Sequence, residues 1–543
     1  MLLRLTAHAR GLAVVCLASV VLGAFAVVAV GQTAVTTYHN DNYRTGWNST
    51  ETTLTPANVN SSSFGLLAKV VLDDQVDAQP LIVPGVMITA GKHQGTHDVV
   101  YVATGNDTVY AIDADAGTIL LSRSLGTPVS WPLGCNNNGP NVGIDSTPVI
   151  DLATNILYVM AYTQGATGPM YTLHALNLGN LTDTLTPTVV SASRPLTDGT
   201  AFNFNATYQR QRPGLLMANG NIYAGFGSFC DYGANHSRGW LLGWNASTLA
   251  SLSANQLNNA QATSPNNFFL SSIWMSGYGL AADDAGNVLF STGNSDPSGN
   301  TYDGITNIQE SIVQMSSDLS TVLSLFTPSN VGVLDQDDED TGSGGVLVLP
   351  DQPGSKPHLA VAVGKAGSMF LMNEDSLGGY LTTKNNVLGT YSMGACWCGQ
   401  SYFVDPTDGL ARVVSSAGRK VQVWKLQTSP GPKLIEVTKS AAMPGGQDPG
   451  FFTSVSSNGN ATPIIWALSR PQANKTIFLY AFNPEAGSST MSPLFHGAAG
   501  WWPNLGGNNN SVPVVANGKV YVVSNQRLQI FGLLPQTAKQ AKK

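Results

Sequence analysis

The strongest constraint on this 543-residue chain is a short unit that recurs along it. The unit is plainest at 99–126, VVYVATGNDTVYAIDADAGTILLSRSLG. There an apolar strand, a tight turn at Gly105-Asn106-Asp107 and a second strand ending Tyr110-Ala111-Ile112-Asp113 run into an Asp-x-x-x-Gly turn. Each unit opens on a phrase of the Thr-Pro-Val-Ile kind and continues into a strand of the Tyr-Val kind. Clear pairs are Gln79-Pro80-Leu81-Ile82 with Val100-Tyr101-Val102, Thr147-Pro148-Val149-Ile150 with Leu157-Tyr158-Val159, and Arg212-Pro213-Gly214-Leu215 with Asn221-Ile222-Tyr223. Weaker copies open at Gly279, Gly345, Gln400, Thr462 and Val512, which makes eight. The connections within a unit are too short for a crossover helix, so each unit is an antiparallel meander.

Repeated small sheets bury their faces on one another and keep adding around one axis, which lets a long chain form one body. The expected fold is all-β: a single eight-bladed β-propeller of four-stranded antiparallel blades, with seven blades as the alternative if one weak unit is an insertion. The last unit stops at Leu528-Gln529-Ile530-Phe531 without an outer strand, and residues 64–72, FGLLAKVVL, are a spare strand near the other end that can close the ring. Charged residues make up only 11% of the chain while Gly (57) and Pro (29) are plentiful, which suits many tight turns. A net charge of −7 provides no basic footprint, so nucleic acid is not an expected partner.

Arg4, His8 and Arg10 precede an apolar run over 11–30 that ends in small residues, the pattern of a secretory signal. Residues 1–31 are therefore read as a signal peptide, with an uncleaved membrane anchor as the alternative. Residues 32–534 are read as the propeller, and 535–543 as a disordered basic tail. The expected location is secreted, periplasmic or cell-surface. Without Cys16, four cysteines remain, Cys135, Cys230, Cys396 and Cys398, and in an exported protein these pair as disulfides in any of three ways.

Several longer phrases are specific. They are Tyr38-His39-Asn40-Asp41-Asn42-Tyr43-Arg44-Thr45-Gly46, Gln211-Arg212-Pro213, Ile273-Trp274-Met275-Ser276-Gly277, Gly342-Ser343-Gly344-Gly345-Val346-Leu347 and Cys396-Trp397. On these, residues 37–533 resemble a family of secreted bacterial, acidobacterial-type proteins with pyrroloquinoline-quinone (PQQ)-like propeller repeats, in the quinoprotein alcohol dehydrogenase-like superfamily. The resemblance implies Gly where this chain has Cys230 and Cys398, which suggests that these two pair and leave Cys135 to Cys396. It also makes PQQ and Ca²⁺ candidate cofactors. Two features depart from the quinoprotein dehydrogenases: Trp397 separates Cys396 from Cys398, where those enzymes have adjacent cysteines, and Leu121 stands where their repeat has Trp.

In a propeller the residues just before each inner strand converge on a central funnel. That ring is Gln79, Thr147, Arg212, Ser276, Ser343, Gln400, Asn460 and Asn510, with Lys365 in a blade turn beside it. Polar residues line the channel of any propeller, but Arg212 has the planar fork that grips a carboxylate. Asp338 and Asp340, in the acidic run before one inner strand, are candidate Ca²⁺ ligands or part of a solvated loop. His39, Asp231 and His236 are candidates for proton transfer, the His-Asn-Asp-Asn stretch being equally a capping network for the first blade. The functional expectation is an exported propeller binding a small molecule, carbohydrate or protein at its funnel face. The alternatives are a PQQ-dependent dehydrogenase and a polysaccharide lyase or hydrolase whose Trp131, Trp274, Trp397, Trp501 and Trp502 stack on sugars. A membrane enters only through an uncleaved N-terminal segment.

Overall fold

Side chains alternate between the two faces of a strand, so a strand covered on both sides reads as an unbroken apolar run. Blade 1 shows this. Its strands Leu81–Ile88, Gly95–Ala103, Thr108–Asp113 and Ile119–Ser124 pair antiparallel in chain order. Val99 and Tyr101 pack with Leu157 and Val159 of the next blade, while Val100 and Val102 pack on the other face with Val514, Tyr521 and Ile530 of the last. The inner strands of blades 2 to 8 are Val149–Asp151, Leu216–Ala218, Ala281–Ala282, Val346–Leu349, Ser401–Val404, Thr453–Asn458 and Val514–Ala516. Eight separate apolar clusters form the core, one between each pair of neighbouring blades. The ring therefore has eight blades and not seven.

This computed structural model describes residues 31–137, 139–232, 236–253, 256–262, 271–295, 302–485 and 487–535. The expected signal segment up to residue 30, Cys16 and the tail from residue 536 lie outside the described residues. Among the described residues no helix is long and apolar enough to cross a membrane.

The recurring Asp or Asn at the end of third strands has a local cause. Asp113 Oδ1 accepts the N–H groups of Asp115 at 2.9 Å and Ala116 at 2.7 Å, and Asn177 and Asn245 accept those of Gly179 and Ser247 at 2.9 and 3.0 Å. These are Asx turns, which start the reversal into the outer strand. Gly117 completes the first of them at φ +67°, where a Cβ would also come within 3.1 Å of Ala68. Phe64–Val71 pairs antiparallel with Arg527–Leu533 as the outer strand of blade 8, so the two ends of the chain close the ring as expected.

One unit is placed differently from the sequence reading. Thr462-Pro463-Ile464 opens the second strand of blade 7, Ala461–Leu468, and the inner strand is Thr453–Asn458, TSVSSN. Asn460 is thus exposed in a hairpin turn and not in the funnel. The true inner strand escapes a hydropathy reading because its serines serve polar partners: Ser454 Oγ donates to the Pro513 carbonyl at 2.6 Å, and Ser456 Oγ accepts from Trp466 Nε1 at 2.9 Å.

Residues 35–51 form a strap that threads the channel and addresses the blades almost in turn. Val35 exchanges both backbone bonds with Ile82 of blade 1, and Thr36 O accepts Ile150 N–H of blade 2. Asn42 Nδ2 donates to Met217 O of blade 3 at 2.9 Å. The carbonyls of Asn42, Tyr43, Thr45 and Gly46 then accept from Ala282, Val348, Tyr402 and Val455 of blades 4 to 7 at 2.7–3.0 Å. Asn48 Nδ2 reaches Val515 O of blade 8 at 3.0 Å. Arg44 pins the strap: its buried guanidinium donates to Leu280 O, Leu215 O, Tyr38 O, Asp41 O and Thr37 Oγ1. The His-Asn-Asp-Asn stretch is therefore part of a strap that ties the ring together, where the sequence suggested a cap for the first blade.

Candidate functional site

Above the strap, loops entering the inner strands and the turns between second and third strands converge on a funnel that encloses about 270 Å³. Of the expected residues, Arg212, Ser276, Lys365, Asn510, Asp338, Asp340, Asp231 and Cys230 line it. Sequence reasoning missed Asn137, Asn294, Asp448 and Asn508, which come from loops after strands or from the interior of blade-to-blade connections. Trp274 and Trp397, expected as sugar platforms, also form its wall.

The remaining expected residues are elsewhere. Gln79 and Thr147 hold the strap: Gln79 Oε1 accepts His39 N–H at 2.9 Å, Gln79 Nε2 donates to Thr37 O at 3.2 Å, and Thr147 Oγ1 accepts Gln79 N–H at 2.8 Å. Ser343 Oγ donates to Cys396 O at 2.9 Å beneath the funnel floor, and Gln400 is fully buried. His39 is buried in the strap with its ring against Tyr38 and Tyr278. Burial holds its pKa down at about 4, which makes it a poor base for a funnel it does not face. His236 packs at a tilt against Tyr208 at 4.9 Å between ring centres and does not line the cavity. The three proton-transfer candidates therefore form no constellation.

The disulfides correct the expected pairing. Cys135 joins Cys230 and Cys396 joins Cys398, with Cα separations of 5.5 and 5.2 Å. The loop before blade 2 meets the loop leaving the second strand of blade 3 at the funnel rim, which brings Cys135 to Cys230 and leaves the other two facing each other across Trp397.

The charges are arranged in two groups. Lys365 forms ion pairs with Asp340 and, at 3.1 Å, with Asp338, and its Nζ also donates to Asp338 O at 3.0 Å. Burial opposes its charge, but Asp340 and Asp338 outweigh that and raise its pKa. Its Nζ lies 5.3 Å from the Trp274 ring centre and 5.7 Å from that of Trp397. Asp340 also accepts Asn294 N–H at 2.8 Å. Below, burial first and then Asp340 and Asp335 push the fully buried Glu310 well above the carboxylate range. Burial, then Asp340 and Asp338, push Asp231 up to about 6.

Arg212 is the second group. Among the described residues its guanidinium has no ion pair and no hydrogen bond, and it rests on Trp274 with Cζ 5.7 Å from the ring centre. Burial, then neighbouring Arg210, lower it to about 9, with Asp145 and Asp77 acting against the shift. Arg210 by contrast is satisfied, donating to Asp145 Oδ2 from Nη2 at 2.9 Å and Nε at 3.1 Å. Buried Arg470 fixes the floor, donating to Gly450 O and Trp397 O at 2.6 Å and to Asn510 Oδ1 at 2.9 Å.

This architecture is an eight-bladed propeller of the PQQ-like fold. Its fold is similar to a quinohemoprotein alcohol dehydrogenase from Pseudomonas putida HK5, with 13% identity, 92% of this chain and 80% of that one covered, and a TM-score of 0.58. A europium-containing methanol dehydrogenase matches equally, with 12% identity, 92% and 98% coverage and a TM-score of 0.58. At these identities the likeness is one of fold. No protein-family model and no curated protein matches the chain.

Proposed function

We propose that this is an exported propeller whose funnel binds a planar, carboxylate-bearing small molecule. Arg212 carries the reading. Its half-buried guanidinium faces the funnel free of an ion pair among the described residues, and its planar fork can grip a carboxylate there through paired, charge-assisted hydrogen bonds. The Trp274 face beside it is a platform for a flat ring. Export accords with two disulfides, which persist in oxidising compartments.

A second reading, the PQQ-dependent dehydrogenase, is favoured by one observation: the Cys135–Cys230 disulfide borders the same cavity as Trp274. PQQ is a planar aromatic tricarboxylate, and Arg212 and Trp274 fit its carboxylates and ring. When bound it supplies a two-electron acceptor. Asp231, with its carboxyl raised to about 6, is able to hold or release a proton close to neutral pH. Calcium fits less well. Lys365 Nζ already serves both Asp338 and Asp340, and among the described residues no three His, Cys, Asp or Glu side chains gather as a metal set. The sugar-platform reading loses support because Trp502 is core and, of the five tryptophans, Trp274 and Trp397 alone line the cavity.

Titration with PQQ and with a benzene tricarboxylate, followed by tryptophan fluorescence, tests both readings. Saturable quenching is expected with both ligands, and Arg212→Gln is expected to weaken it by about ten- to a hundredfold, the worth of a charged hydrogen bond. Absence of binding by either ligand refutes the proposal. Reduction of an artificial dye by the PQQ-loaded protein with an alcohol separates the dehydrogenase from the binder.

A further inference from the structure

A second recess, of about 360 Å³, opens between blades 4 and 5 where their first hairpins turn, at the end of the inner strands away from the funnel loops. Its apolar lining is buried Val348 and Leu349 with half-exposed Leu323, and its wall is acidic. Asp283 and Asp284 come from the blade 4 turn, and Asp351, Glu374 and Asp375 from two blade 5 turns. Among the described residues no lysine or arginine lines it.

Most of these carboxylates are occupied. Asp283 accepts from Asn287 N at 2.8 Å, Asn287 Nδ2 at 2.7 Å and Gln314 Nε2 at 2.9 Å, and Asp284 accepts from Tyr43 Oη. His358 bridges Asp375 at 2.7 Å and Asp351 at 3.7 Å on the rim. Glu374 differs. It is 7% exposed, lines the recess, and among the described residues its carboxylate has no hydrogen bond and no ion pair. A buried carboxylate without a counter-ion is costly unless a ligand supplies one.

We propose that this recess binds an organic cation, an ammonium or guanidinium carried on an aliphatic stem, with Glu374 as its buried counter-ion. The apolar lining suits the stem and the acidic wall the head, the division of labour that long basic side chains show elsewhere. A bare metal ion is disfavoured, because no three ligating side chains converge within reach of one point among the described residues. The cation can be a free amine or a basic side chain of a peptide.

Burial, then the Asp283 carboxylate, push Glu374 up to about 7. Asp284, Asp351, Asp375, His358 and Tyr43 face the same space. A cation arriving beside Glu374 favours its ionised form, so binding near neutral pH releases a proton.

The test is calorimetric titration of the whole exported chain with n-butylamine, N-acetyl-lysine amide and N-acetyl-arginine amide, in buffers of different ionisation heat, with calcium chloride as comparison. Saturable, salt-sensitive binding with proton release is expected. Glu374→Gln should weaken it by about tenfold, the order of one charge pair, and abolish the proton release. Asp375→Asn, on the exposed rim, should weaken it less without removing the release. Tighter binding of the capped amino acids points to a peptide source, and tighter binding of butylamine to a free amine. Binding of none of the three, unchanged affinity in a folded Glu374→Gln protein, or calcium binding more tightly than every amine would each overturn the proposal.

Discussion

His39 donates its Nδ1–H to the Arg44 carbonyl at 3.1 Å inside the strap and is neutral there, its pKa held at about 4. In the unfolded chain a histidine titrates near 6.5. Between these values the unfolded chain binds a proton that the folded one does not, so this contribution to stability is complete above about pH 6.5 and is lost as pH falls toward 4. The loss is about 3 kcal/mol for this group. Urea unfolding at about pH 7 and about pH 4.5 should show it, and His39→Asn should flatten the difference. The funnel residues the sequence made legible, Arg212, Ser276, Lys365 and Asn510, sit directly before an inner strand or in a second-to-third turn, where the propeller geometry alone aims them at the mouth. Gln79, Thr147 and Gln400 occupy equivalent places yet do not line the funnel, Gln79 and Thr147 because they hold the strap that threads the channel. Nothing local in the chain signals that.

At the scale of the element, the strap depends on Arg44 and the rim on Cys135–Cys230. Arg44→Ala removes five hydrogen bonds from groups buried in three segments and should cost about 4 kcal/mol, with Arg44→Lys recovering little because an ammonium lacks the planar fork. The Cys135–Cys230 bridge spans 95 residues, and its removal as Cys135→Ser with Cys230→Ser should lower stability by about 3 kcal/mol in denaturant titrations. The short Cys396–Cys398 bridge closes almost no loop, so its removal should change unfolding far less. The strands that sequence reading caught are those with apolar residues on both faces. Thr453–Asn458 escaped it because one edge of that strand pairs with Trp47–Asn48 of the strap and its serines bond to Pro513 of blade 8 and Trp466 of its own blade.

For the whole molecule, the repeat count and the spare strand at Phe64–Val71 predicted ring size and closure, since each rests on local pattern alone. Blade 8 is assembled from both ends, and a chain truncated before residue 73 would lose its outer strand and the strap together. It should unfold at lower denaturant and over a broader transition, as neighbouring blades stop being coupled through the channel. The order of the strap's contacts has a further consequence. Residues 42, 43, 45 and 46 meet blades 4, 5, 6 and 7 in sequence, so the segment works as a gauge cut to one circumference. A ring that gained a blade by duplication would contain an inner strand with no matching notch, and one that lost a blade would leave a notch unfilled. Drift in blade number, otherwise the easiest change for a chain of repeats, is closed to this protein unless the gauge changes with it.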